Sequence, residues 1–461
     1  MTMNNLPEKA SCPCLLIAAP SSGSGKTTLT AALARWHSRK GRKVCVFKAG
    51  PDFIDPMILR QASGHTVYSL DLGMMSEEHC NDLLLRAASW ADLILIEGVM
   101  GLFDSDFSAA VLAKRFNFPV AIIVDASAMA ETFSAVVLGL ATADTDLSIL
   151  GCVANRVASQ GHKAMIEASV DRFLPPSIPL LATLYRQDEI SFPERHLGLV
   201  QAEEIQDIQQ RIDLAADQID GSAITELPPR VNFKRKNQLE VTSQRLAGKT
   251  IAIAKDQAFS FVYAANVDFL MDQGATIIWT SPLNDSACPE CDCLYMPGGY
   301  PELHLKALSQ NISYMESVQA FSGHILAECG GMIYLSNKVT STEGEVAQLC
   351  GRLPLAIQVH TRLQALGWQR LETQDGEILA NTFHYSSSVP ELVDQELAEQ
   401  ELPDMEHKTA TTKLGKTGEK IYQLNNVTAS YLHWYFPSNP DVACALLTGT
   451  RLDEKICSHS D

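Results

Sequence analysis

The sequence is short of positive charge. Its 461 residues carry 36 lysines and arginines against 54 aspartates and glutamates, a formal net charge of −18. A surface of that sign repels phosphate backbones and excludes a general nucleic-acid binder. It leaves room for a small anionic substrate, which needs only local basic residues. Long apolar runs are missing too. The longest stretch, PVAIIVDASAMAETFSAVVLGLATA, is broken by Asp125 and Glu131, so no membrane span is expected. MTMNNLPEKASC has neither a basic start nor an apolar core, and no secretory leader is expected there. The twelve cysteines form no disulfide framework, and CPECDC (288–293) lacks the second pair that zinc-finger spacing requires. No internal repeat is present. A reducing, cytoplasmic setting is the expectation. With 46% hydrophobic residues the chain fills sizeable cores, and its length points to two or three domains.

Strand-like apolar runs alternate with helical stretches in the first half. The runs are LLIAA (15–19), VCVF (44–47), LILIE (93–97), VAIIVD (120–125) and LSILGCVAN (147–155). Between them TTLTAALARWHSRK stops at Gly41, and SEEHCNDLLLRAASW opens with Ser76 as an N-cap. Continuous apolar strands separated by helices predict a parallel sheet covered on both faces. This pattern spans residues 12–220. The polar stretch 221–248, with a proline pair and a basic cluster, reads as a linker. A second α/β pattern occupies 249–445, beginning at TIAIA (250–254), and 446–461 is a tail. Residues 389–420 are charged and poor in aromatics, and read as a surface excursion.

SSGSGKTT (21–28) lies between the first strand and the first helix. Pro20 stands where G-x-x-x-x-G-K-[ST] has its first glycine, but the lysine-side half is intact. Ser22, Gly23, Gly25 and Thr28 are expected to line a phosphate cradle at a helix N-terminus. Lys26 reaches the terminal phosphates, and Thr27 ligates Mg2+. LILIEGVMGLFD puts Glu97 at a strand's C-terminal end, where open α/β sheets bind ligands. KAGPDFIDP gathers Lys48, Asp52 and Asp55 after another strand. Glu97 and Asp52 are metal candidates beside Thr27. Asn155, at the end of LSILGCVAN, is a candidate reader of the purine edge.

HILAECGGMIYL runs an apolar strand into Cys329 and straight into a helix. This is the pattern of a nucleophile elbow with cysteine as nucleophile. The helix N-terminus is expected to lower the thiol pKa. YMPGGYPELH supplies Gly298 and Gly299 after another strand, so N–H groups of Gly299 and Gly330 are candidates for an oxyanion hole. The thiol needs a base. His433 in ASYLHWYF and His384 in NTFHYSS compete, and spacing does not choose between them.

The P-loop resembles the deviant Walker A loop of dethiobiotin synthetase and its relatives. The ordered set AAPSSGSGKTT, KAGPDFIDP, IEGVMGLFD, PERHLGLVQAEE, YMPGGYPELH, AECGGMIYL, FHYSS and SYLHWYF resembles the cobyrinic and hydrogenobyrinic acid a,c-diamide synthases over nearly the whole chain. The implied fold is an N-terminal P-loop parallel-sheet domain joined to a flavodoxin-like class I glutamine amidotransferase domain. The implied reaction is ATP-dependent amidation of ring carboxylates with nitrogen from L-glutamine. ATP and Mg2+ serve it, a corrinoid polycarboxylate is the substrate, and a homodimer is allowed. The family pattern maps the nucleophile to Cys329 and its base to His433. Class I enzymes generally carry His-x-Glu, whereas this chain has Tyr435 at the third position, implying a Cys–His dyad. The family often has Gly-His-Glu before Phe-His-Tyr-Ser, where this chain has Ala380-Asn381-Thr382. Arg195 and His196 of PERHLGL, with Lys48, are candidates to hold the substrate's carboxylates.

Two alternatives compete. Cobyric acid synthase has a similar plan and amidates other ring carboxylates; KAGPDFIDP and PERHLGL favour the a,c-diamide branch. A partition-type switch ATPase would use the first half only, and would have no need of the thiol in AECGG.

Overall fold

The computed structural model describes residues 6–193, 200–236, 244–390 and 406–452. The chain divides into two compact units, residues 1–240 and 241–461.

In the first unit the apolar runs become strands β1 (Lys9–Ala18), β2 (Val44–Ala49), β3 (Tyr68–Leu70), β4 (Leu93–Glu97), β5 (Val120–Asp125), β6 (Ile149–Val157) and β7 (Leu180–Tyr185). They pair in parallel in the order β3-β2-β4-β1-β5-β6-β7. Parallel strands need crossovers, which is why helices alternate with them. Helix α1 (Lys26–Arg39) buries Leu29, Leu33 and Ala34 in a core with Ile17, Val46 and Leu95. Each such leucine contributes about 1.5–3 kcal/mol relative to exposure. Helices α2 (Asp55–Ser63) and α3 (Glu77–Ala88) follow. Ser76 caps α3 as expected, its Oγ accepting from His79 N at 3.1 Å. Register does the rest. Glu97 pairs with both Ile17 and Lys48, and Asp125 pairs with Asn155. The sheet's C-terminal edge therefore gathers the polar strand ends, as open α/β sheets do at their ligand sites.

Part of the expected linker belongs to this unit. Residues Arg230–Lys234 form β8, antiparallel to the first half of β1, with Val231 and Phe233 buried. Their alternation of exposed and buried positions is the strand signal that the polar composition masked.

In the second unit β9 (Thr250–Ala254), β10 (Thr276–Thr280), β11 (Cys293–Met296) and β12 (His324–Glu328) pair in parallel as β10-β9-β11-β12. Val427–Ser430 adds in parallel to β12. The sheet then continues through Thr417–Leu424, Glu406–Thr412, Ala365–Thr373, Gly376–His384 and Leu432–Trp434, all antiparallel. This corrects the surface excursion at 406–412 and 417–420. Residues 406–412 and 417–424 are paired strands with Ala410 and Ile421 in the core, while 391–405 lie outside the described residues. Charge on the exposed face of an antiparallel sheet reads as loop composition unless its alternation is noticed. Among the described residues no helix is long and apolar enough to cross a membrane.

Candidate active sites

The phosphate loop ends at Gly25, in a left-handed conformation with φ 100°, and α1 begins at Lys26 with no side-chain cap. Its first N–H groups are left to the loop and to whatever anion the loop holds. A Cβ on Gly25 would stand 2.1 Å from Asn155 Nδ2. That nitrogen donates to Ser24 O at 2.9 Å, and Asn155 Oδ1 accepts from Arg156 N at 2.9 Å. Asn155 therefore braces the loop. One N–H and one lone pair of the amide are thereby engaged, and Asn155 still lines the cavity beside the loop.

Lys26 Nζ donates to Ser21 O at 3.0 Å and Met100 O at 2.6 Å. Burial and the neighbouring charge of Lys48 lower its pKa to about 8. Thr27 Oγ1 donates to Glu97 Oε1 at 2.7 Å. Lys48 lies among three carboxylates: Asp55 at 2.6 Å, Glu97 at 2.9 Å and Asp52 at 3.6 Å. Burial opposes the Lys48 charge, but those carboxylates override it and hold the pKa well above the usual lysine value. Its ammonium is thus the counter-ion of the site's own acids, and it also lines the cavity. Burial raises Glu97 to about 7 against the pull of Lys48, and burial with Asp55 raises Asp52 to about 6. Glu97 Oε2 is buried with no hydrogen-bond partner among the described residues. An open carboxylate oxygen beside a threonine hydroxyl fits Mg2+, which takes few protein ligands and shares its shell with phosphates and water. Ser22, Gly23, Thr28 and Asp52 line the same cavity, about 780 Å³. Arg156 and Arg186 line it as well, and the sequence reading missed both. Arg156 directly follows Asn155 in ANRV, which was the available signal. Arg195 and His196 lie outside the described residues.

In the second unit β12 runs into Cys329 at φ 42°, ψ −102°, and a helix Gly330–Leu335 begins at once. Such a backbone is strained for a side chain and projects the thiol from the turn. Cys329 N donates to Ser430 O at 2.7 Å. A Cβ on Gly330 would meet Gly299 N at 3.0 Å. The two candidate oxyanion donors are thus neighbours, and only glycine permits that approach. Burial pushes the Cys329 thiol well above the usual thiol value, and Glu302 and Glu419 add to it against the N–H of Gly330. The expected lowering is corrected, because a six-residue helix does not offset full burial.

Geometry separates the two histidines. His384 Nδ1 is 2.7 Å from Ser386 O, and Nε2 is 3.0 Å from Glu419 Oε1. Both of its ring nitrogens already lie against oxygen partners. Its ring stacks on Tyr431 at 3.8 Å. His433 is fully buried at the turn Gly298 makes. A Cβ on Gly298 would lie 2.2 Å from His433 Cε1 and 3.4 Å from Cys329 Cβ. Burial, then the charge of His384, lowers His433 to about 3, so it is neutral and able to accept. Tyr435, where class I enzymes have a carboxylate, is buried against Tyr263. A different carboxylate approaches the ring. Glu328 Oε2 is 3.9 Å from His433 Nδ1.

The geometry defines two sites of different class on one chain: a nucleotide site, and a cysteine site with a histidine and a glycine turn. Residues 15–200 match the CobQ/CobB/MinD/ParA nucleotide binding domain, and residues 250–441 match the CobB/CobQ-like glutamine amidotransferase domain. The hydrogenobyrinate a,c-diamide synthase of Stutzerimonas stutzeri (strain A1501) is 48% identical over 439 residues, 95% of this chain and 98% of that protein. The cobyrinate a,c-diamide synthase of Herminiimonas arsenicoxydans is 44% identical over 433 residues, 92% and 94% of the two chains. The chain belongs to the cobyrinate and hydrogenobyrinate a,c-diamide synthase family.

Proposed function

We infer that this chain is a glutamine-hydrolysing, ATP-dependent ligase that converts the a- and c-acetate carboxylates of cobyrinic or hydrogenobyrinic acid to amides. The observation that carries this is identity of 44–48% to synthases of that name over more than nine-tenths of the chain. Hydroxide is a poor leaving group, so a carboxylate must be activated before ammonia displaces it. ATP provides that by phosphorylating it, and phosphate departs. In this reading the loop N–H groups and Lys26 hold the nucleotide's phosphates. Thr27 and Glu97, with Asp52 at the edge, would hold Mg2+, which when bound would supply charge neutralisation at the phosphates. Lys48 keeps the three carboxylates in place, and Asn155 keeps the loop closed against α1.

The other unit supplies ammonia. Cys329 Sγ bonds the side-chain amide carbon of glutamine while His433 takes the thiol proton. N–H groups of Gly299 and Gly330 receive the oxyanion. The proton on His433 leaves with ammonia, and water then hydrolyses the thioester. The high thiol pKa supports a concerted start, in which His433 removes the proton as attack begins.

Mass spectrometry of product tests the whole reading. Purified protein is incubated with Mg-ATP, glutamine and either ring acid, beside Cys329→Ser. Two hydroxyl-to-amino exchanges are expected. They need Cys329 with glutamine and not with free ammonia. ATP hydrolysis without amidation of either ring would overturn the substrate.

A further inference from the structure

The sequence lacks a carboxylate two residues beyond His433, yet the fold brings one to its ring. We propose that Glu328 is a positioning residue of the glutaminase site: reaching His433 from the residue before the nucleophile, it does what a carboxylate at Tyr435 would do. The proposal rests on reading Cys329 and His433 as nucleophile and base.

Strand pairing produces the arrangement. Glu328 ends β12 opposite Ser430 on the adjacent parallel strand. The chain then turns into Leu432–Trp434, which carries residue 433 back over 328. Trp434 N donates to Glu328 Oε1 at 3.2 Å, so the carboxyl group is fixed at one oxygen. The other oxygen faces His433 Nδ1 at 3.9 Å. That is longer than a hydrogen bond, but catalytic contacts commonly tighten once substrate is bound. Both side chains are about 1% exposed, so little water competes for the contact. Burial raises the Glu328 carboxyl to about 8 and lowers His433 to about 3. Whether ionised or protonated, a carboxyl oxygen can accept the Nδ1–H. Holding the proton on Nδ1 leaves the Nε2 lone pair for the Cys329 proton. Glu328 takes no part in the transfer itself.

Asn381 is the rival. It is the register partner of His433, and its Oδ1 is buried with no hydrogen-bond partner among the described residues. Glu328 is preferred because its distance and its anchor to Trp434 both point it at the ring.

The experiment compares Glu328→Gln, Glu328→Asp, Asn381→Ala and Cys329→Ser in the full-length protein. Glutaminase kcat, KM for glutamine and ammonia-driven amidation are measured for each. In Glu328→Gln, an amide whose oxygen keeps Trp434 N turns its NH2 toward Nδ1 and favours the wrong tautomer. A fall in kcat of about 10²-fold or more is expected, by analogy with the triad carboxylate. KM is expected to stay within about 3-fold and ammonia-driven amidation to persist. Glu328→Asp should recover at least about a tenth of wild-type kcat. The proposal is overturned by a Glu328→Gln kcat within about 3-fold of wild type. It is equally overturned if Glu328→Asp is as impaired as Glu328→Gln with both ammonia-driven activities lost, or if only Asn381→Ala lowers kcat. Glutaminase persisting in Cys329→Ser would instead overturn the nucleophile on which the proposal stands.

Discussion

Replacing Gly298 by alanine adds one methyl group where the structure has no room. The built Cβ lies 2.2 Å from His433 Cε1 and 2.9 Å from Nδ1. Carbon atoms settle roughly 3.5–4.0 Å apart, so the ring must retreat by roughly 1.3 Å. His433 is fully buried, so it has no open side to retreat into without disturbing its packing. Gly298 is not in the left-handed region, so the alanine backbone itself is unstrained. Misplacing a reacting group by about 1 Å lowers rate by about 10²-fold, or about 2.7 kcal/mol of barrier. Glutamate release with saturating glutamine should fall by that factor. Ammonia-driven amidation should be unchanged in the same preparation, which rules out general unfolding. Glutaminase within about 3-fold of wild type would refute the argument that Gly298 is fixed by the histidine.

Thr27→Val keeps volume and removes the hydroxyl that meets Glu97. Amidation should fall about 10–100-fold with glutamine or ammonia alike, the range expected for a lost buried hydrogen bond, while glutaminase is spared; loss of glutaminase in step would refute that separation. Burial of the Cys329 thiol predicts slow iodoacetamide labelling at neutral pH that still climbs above pH 9. A plateau below pH 8 in the labelling of Cys329, located by peptide mapping, would show a lowered thiol pKa instead. His433 stays neutral in the fold down to about pH 3, whereas the unfolded histidine protonates near 6.5. The unfolded state binds the extra proton, so stability falls as pH drops below about 6.5, by at most about 1.4 kcal/mol per pH unit from this group. His433→Gln should flatten that acid limb in calorimetry, and an unchanged limb would argue against a buried neutral imidazole.

The elements that carried the most local information were the ones that sequence reading recovered. GKTT between a strand and a helix, and Cys-Gly-Gly at a strand end, each require a turn that few other residues permit. The features that escaped it depend on register. Lys48 was legible as a cation near acids, but only the pairing of Lys48 with Glu97 makes it their counter-ion. Asn155 was legible as a strand-end amide, but only the 2.1 Å approach to Gly25 commits it to the loop. Residues 417–420 looked like surface loop because their composition is charged and polar, although they open a strand that puts Ile421 in the core. The histidine choice was not legible at all, because it turns on which ring nitrogens already have oxygen partners.

The two sites share a construction and differ in charge. In each, a parallel strand ends in a turn with a residue at positive φ and a glycine at a close approach, and a helix begins directly after it. At the first, Lys26 and Lys48 face Glu97, Asp52 and Asp55 within one buried cluster. In the proposed function such a cluster would suit a polyanion and its cation, because charges already paired would be re-paired as phosphates and Mg2+ entered. At the second, burial favours the neutral forms of Cys329, His433 and Glu328 together. Separating charge there without substrate is unfavourable in so dry a setting. In the proposed reaction bound glutamine would change the balance, because the oxyanion would find the N–H groups of Gly299 and Gly330 as it forms. The thiol's high pKa is therefore compatible with catalysis: the thiolate need not exist before the bond to carbon begins to form.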